Sequence, residues 1–128
     1  MKVLLPATFV ALTLPFAASA ETVNYSCSRD SQAEANECVS ARYKAMDEDL
    51  NAIYGQLMQT MESAPEDQER LRQSQRAWIA FRDADCHSVG AEFSGGSLAP
   101  YVTATCAYEL TAQRLQQLGQ RLTERNSR

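Results

Sequence analysis

The sequence predicts an all-α fold, a three-helix antiparallel bundle stapled by two disulfides. Three observations predict it. Two long segments carry apolar residues at alternating steps of three and four, the spacing of one helix face. Between them Leu71 to Cys86, LRQSQRAWIAFRDADC, adds a helical stripe around the only Trp. Four cysteines stand behind an export signal, the setting in which cysteines pair.

That signal comes first in the chain. Lys2 is a short positive start, residues 3–18 are apolar, and Ala18-Ser19-Ala20 is a cleavage pattern of small residues. Residues 1–20 therefore read as a secretory signal peptide and not as a membrane anchor. Cleavage leaves 108 of the 128 residues, Glu21–Arg128, as a single helical domain. The first cysteine, Cys27, lies beyond the new N-terminus, so no lipid anchor is expected after cleavage. The mature chain holds 11 basic against 16 acidic residues, a net charge of −5. This argues against nucleic acid or an anionic membrane as partner and suits a cationic one.

Residues 21–31 show no period and read as an arm tied down by Cys27, with Asn24-Tyr25-Ser26 forming a glycosylation triplet. From Gln32 to Glu62 the apolar positions are Val39, Tyr43, Met46, Leu50, Ile53, Leu57 and Met61, an amphipathic first helix with a near-heptad seam. Residues 63–67 break it. Ser63 is expected to cap a second helix, with Pro65 and acids in its first turn, running to about His87. Its inward stripe is Leu71, Ser74 or Gln75, Trp78, and Phe81 or Arg82. Residues 88–100 contain Ser94-Gly95-Gly96-Ser97, fit no period and read as a long loop. A third helix begins near Pro100 or Tyr101 with the seam Ala104, Tyr108, Thr111, Leu115, Leu118 and Leu122, and frays from Glu124.

The short break makes helices one and two antiparallel neighbours, with residue i near residue 128 − i. Trp78 then falls by Leu50, Arg82 near Met46 and Asp47, and Cys86 near Arg42. All four cysteines collect at one pole. Four cysteines allow three pairings. Cys27–Cys38 and Cys86–Cys106 both close local loops, each worth roughly 3 kcal/mol through lost unfolded-state entropy. The second would clamp both ends of the Gly-Gly loop. Arg82 has two readings: paired at the core edge with Asp47 or Asp49, or solvated beside Asp85 or Glu92. Arg114 is expected near Trp78, within cation–π reach.

Little here resembles catalytic machinery. Asp83, Asp85 and His87 lie two apart and spread around a helix, so with Glu92 they make a poor metal or acid–base site. Asp47, Glu48 and Asp49 are consecutive and solvated, unlike the acid in an apolar pocket that glycoside hydrolysis needs. Ser94 and Ser97 lack a partner His. The cysteine spacings match no zinc knuckle, and none forms Cys-x-x-Cys. No enzyme activity, metal or cofactor is expected.

Three stretches carry a family resemblance. Asp47-Glu48-Asp49-Leu50-Asn51-Ala52-Ile53-Tyr54 is similar to D-x-x-L-N-x-x-Y. Leu71–Cys86 is similar to L-x-x-x-Q-R-x-W-I-x-x-R-D-x-x-C. Gly95-Gly96-Ser97 is followed by Cys106, Thr111, Arg114 and Leu118. Together they resemble the small secreted domain family named after LprI, the mycobacterial lysozyme inhibitor, from Cys27 to Leu122. The resemblance implies a periplasmic or secreted binding protein that inhibits a lysozyme by occluding its cleft. It implies structural roles for Asp47, Leu50, Tyr54, Trp78, Arg82 and Arg114. The namesake's lipid anchor does not carry over, because the chain lacks the cysteine for it. The loop is the expected binding site. Gly95 and Gly96 permit close backbone approach, Ser94 and Ser97 offer hydroxyls, Tyr101 adds an aromatic anchor, and Glu92 suits a cationic rim. The partner would be a lysozyme or another cationic exported protein. The alternatives are an envelope interaction module that works through its helical faces, and an enzyme with an unrecognised site.

Overall fold

The computed structural model describes Cys27 and residues 30–128. The expected signal segment, the Asn24 triplet and most of the N-terminal arm lie outside the described residues. Three helices follow: α1 Gln32–Gln59, α2 Pro65–Ala91 and α3 Ala99–Asn126. Both favoured disulfides, Cys27–Cys38 and Cys86–Cys106, are formed.

Helix α1 starts where a capping sequence allows it. The Ser31 hydroxyl accepts from the Glu34 amide at 3.2 Å, and Glu34 lies in the first turn. Ser63 does not cap α2. Ala64 holds that position without a side-chain bond, and Pro65 follows inside the helix. Proline has no N–H, so one of the orphan donors that a cap would satisfy is missing. Gln68 Nε2 donates to the Met58 carbonyl at 2.9 Å and ties the start of α2 to the end of α1.

Helices α1 and α3 run parallel, side by side along their length. At one end Asn36 Nδ2 donates to the Ser97 carbonyl at 3.1 Å. At the other, Arg125 donates to the Thr60 hydroxyl at 2.9 Å and to its carbonyl at 3.0 Å. Those bonds hold α3 helical to Asn126, past the fraying point expected at Glu124. Helix α2 runs antiparallel to both, since Cys86 meets Cys106 and Arg114 reaches Ser74.

The expected α1–α2 neighbourhood is thinner than the α1–α3 and α2–α3 contacts. The long Arg82 side chain spans the gap between α1 and α2 to reach Asp47. Small residues instead let α3 approach α2. A Cβ placed on Gly90 would lie 1.9 Å from Thr103 Oγ1. Helix α2 continues to Ala91, beyond the expected end at His87. The loop shortens accordingly to residues 92–98.

The interior is layered along the bundle axis. The apolar core lies towards the α1–α2 turn: Leu50, Leu57, Met61, Leu71 and Leu118 are buried, and Tyr54, Met58 and Trp78 pack against them. Met58 and Met61 thus belong to the core. A polar layer with Arg82 and Thr111 buried follows, and the disulfide pole closes the other end.

Candidate functional site

The polar layer is built from all three helices. The Arg82 side chain is only 7% exposed, so its charge needs partners. One guanidinium nitrogen donates to Asp47 Oδ1 on α1 at 2.8 Å, and Nε donates to Asp83 Oδ1 at 2.9 Å. The same guanidinium lies 5.1 Å from the Trp78 ring and 5.3 Å from Tyr43. Burial disfavours its positive charge, but the bonds to Asp83 and Asp47 outweigh this and hold its pKa above the ordinary value. Of the two readings the core-edge pair holds, with Asp47 rather than Asp49 as the acid on α1; Arg82 shows no bond to Asp85 or Glu92, and Asp83 is its second partner. Arg114 lies 5.7 Å from Trp78, as expected, and binds Gln75 Oε1 and Ser74 Oγ at 3.1 Å each. Burial and the neighbouring Arg121 charge lower its pKa. This layer fixes the register of three helices.

The expected binding residues lie at the disulfide pole. Loop residues 92–98 follow Cys86, the disulfide partner of Cys106 on α3. Short turns compact the loop, with the Phe93 amide on the Gly90 carbonyl at 3.0 Å and the Gly96 amide on the Phe93 carbonyl at 3.2 Å. Gly95 sits at φ 88°, a conformation other residues rarely adopt. Glu92 and Ser94–Ser97 are exposed, while Tyr101 is half-buried in the first turn of α3. The structure divides this set. Ser94 borders a groove between α2 and α3, whereas Tyr101 lines a separate recess with Cys27, Ser31 and Leu98. The Ser97 carbonyl is already engaged by Asn36.

Two exposed apolar side chains of the loop escaped the sequence reading, Phe93 at 40% and Leu98 at 39%. Read as parts of a polar Gly-Ser loop they carried no signal, although each flanks the Ser94–Ser97 tract. The groove itself, about 750 Å³, also went unseen, because it needs α2 to continue past His87. Among the described residues no group of three or more His, Cys, Asp or Glu is placed to hold a metal ion, and no helix is long and apolar enough to cross a membrane.

Comparison with known proteins decides the family. Residues 25–118 match the family described as Lysozyme inhibitor LprI. The chain belongs to the LprI lysozyme inhibitor family. An uncharacterized protein of Rhizobium meliloti is 31% identical over 130 residues, covering 92% of this chain and 94% of the relative. No solved structure matches. The LprI match covers both disulfides, the buried Arg82 cluster and the whole 92–98 loop. Two disulfides fit an oxidising compartment, and the LprI family supplies lysozyme as the kind of partner to consider.

Proposed function

We propose that this LprI-family protein is exported after cleavage following Ala20 and inhibits a lysozyme by placing residues 92–101 against the enzyme's cleft. The observation that carries the reading is the clamped loop. It presents Phe93 and Leu98, two exposed apolar anchors, on either side of Ser94–Ser97. The disulfide between Cys86 and Cys106 pre-orders it, so little chain entropy is lost on binding. Glu92 at one end adds a carboxylate for a cationic rim. Inhibition is by occlusion, with no chemistry on the inhibitor's side.

The test is titration of the oxidised protein into several lysozyme types, following binding and lysis together. Stoichiometric inhibition that weakens at least tenfold in Phe93→Ala or Leu98→Ala supports the loop, since central apolar anchors cost about 1.4 kcal/mol or more on truncation. Full inhibition by both variants moves the site elsewhere. A second reading has its own observation. Phe81 on α2 is 54% exposed, which favours a helical face as a contact for another exported protein. No binding to any lysozyme, with capture of another exported protein that Phe81→Ser abolishes and Phe93→Ala does not, selects that face.

A further inference from the structure

The groove between α2 and α3 lies beside the loop yet is not part of it. Its walls are mostly small and apolar: Gly90 and Ala91 on one side, Pro100 and Ala104 on the other, with Tyr43 of α1 among its lining. Asp83 stands at its edge. Arg82 brings one positive charge between two carboxylates, so the cluster keeps one negative charge in excess. Both contacts of Arg82 to Asp83 fall on Oδ1, and neither uses Oδ2.

The surrounding charge has the same sign. Residues 30–46 and 82–111, which hold the groove, carry seven carboxylates against three basic side chains. Residues 47–81 and 112–128 carry eight against seven. Nearly all of the net negative charge therefore lies on the groove's half of the molecule, where it draws in a cationic partner.

We propose that this groove seats a basic segment of the protein partner, one Arg or Lys side chain with its adjoining backbone. The aliphatic stem lies along Ala91, Pro100 and Ala104, and the charged head meets Asp83. Long basic side chains bury their stems on apolar surface while the head keeps polar company. A volume of about 750 Å³ suits such a segment. An Arg head gains most, because its planar fork matches a carboxylate. The partner being a lysozyme rests on the function proposed above; the groove's preference for a basic side chain does not.

The experiment reads the groove directly. Backbone amide spectra of the oxidised protein are followed during titration with acetyl-Gly-Arg-Gly-amide and with the same peptide carrying neutral citrulline. Saturable shifts confined to residues 83–91 and 99–104 are expected from the Arg peptide and not from citrulline. Asp83→Asn should weaken them at least tenfold. Ala91→Trp, which fills the groove from an exposed position, should abolish them while leaving distant amides unchanged. Shifts absent, non-saturating or spread over all exposed carboxylates overturn the proposal, as does equal binding by the Trp variant. Lysozyme inhibition by the same variants separates the two readings. A groove that binds the peptide in a protein inhibiting no lysozyme sinks only the lysozyme reading. Lysozyme inhibition by the parent protein, without saturable peptide shifts in its groove, sinks only the groove.

Discussion

Arg82 shows how one side chain organises the middle of the bundle. Its burial cost is offset by two carboxylates of unequal exposure, Asp47 at 37% and Asp83 at 60%. Removing Arg82 takes out the buried member and leaves a gap among Trp78, Tyr43 and Thr111. Arg82→Ala should therefore cost about 3 kcal/mol or more. Asp47→Ala leaves Asp83 as partner and should cost about 1–2 kcal/mol, with Asp83→Ala under about 1, since solvent screens the more exposed pair. Urea unfolding of the three variants tests that order, and an Asp83 variant worse than Arg82→Ala would refute it. The antiparallel pairing of α1 and α2 put Asp47 among Arg82's candidate partners, beside Asp49 and a solvated alternative, and the structure selects Asp47. Asp83 was not legible, because adjacent residues on a helix do not face each other, and only the length and flexibility of the Arg82 side chain let its guanidinium reach the neighbouring carboxylate. Tyr43 adds a pH effect. Burial raises its phenol pKa above the ordinary 10.0, more than the Arg82 charge lowers it, and the Asp47 and Asp83 charges raise it further. The folded state thus holds this proton more tightly than the unfolded one. The stabilisation is complete below the unfolded pKa and is lost as pH rises through the folded value. Between roughly pH 9 and 12 the urea midpoint should fall less in Tyr43→Phe than in the parent protein.

At the scale of elements, the seams of α1 and α3 were readable because apolar spacing records which face is buried. Val39, Leu50, Leu57, Thr111 and Leu118 all turned inward. On α2 the stripe left Phe81 or Arg82 open. Arg82 is the buried one and Phe81 is exposed, an inversion of hydrophobicity that the Asp47 partner explains. The end of α2 was misplaced for a different reason. Gly90 lies among residues with no period, and its role is contact with another helix, which sequence spacing does not encode. Gly90→Ala should destabilise by about 1–3 kcal/mol, as overpacking does. Its Cβ would displace Thr103 Oγ1, which donates to the Ala99 carbonyl at 2.9 Å. Gly90→Ala combined with Thr103→Ala should recover part of that loss, measured as a coupling energy in a double-mutant cycle. Gly55→Ala and Gly119→Ala, with nothing within 4 Å of the added Cβ, should each stabilise by about 0.5–1 kcal/mol. A stabilising Gly90→Ala would show that the α2–α3 approach is looser than described.

The whole molecule is held differently at its two ends. Towards the α1–α2 turn, large aliphatic side chains fill the interior, with Leu50, Leu57, Leu71 and Leu118 almost fully buried. Towards the other pole the buried residues are mainly small, including Gly90 and Ala107, and the two disulfides do the holding. Four cysteines behind an expected export signal made this staple legible, whereas the loop's exposed apolar side chains and the adjacent groove emerge only once α2 and α3 are placed. A small apolar core supplies little stability per residue, so the disulfide end depends on its crosslinks for about 3 kcal/mol each. The candidate loop and groove both lie at that end. Reduction should therefore open this pole before it opens the leucine core. Hydrogen exchange under mild reducing conditions should show amides of residues 84–106 losing protection while those of residues 50–58 and 115–122 keep theirs. Replacing Cys86 and Cys106 together by Ala should reproduce that pattern and weaken partner binding more than it weakens the core. Uniform loss of protection along all three helices would instead make the bundle a single cooperative unit, with its disulfide pole no more labile than its centre.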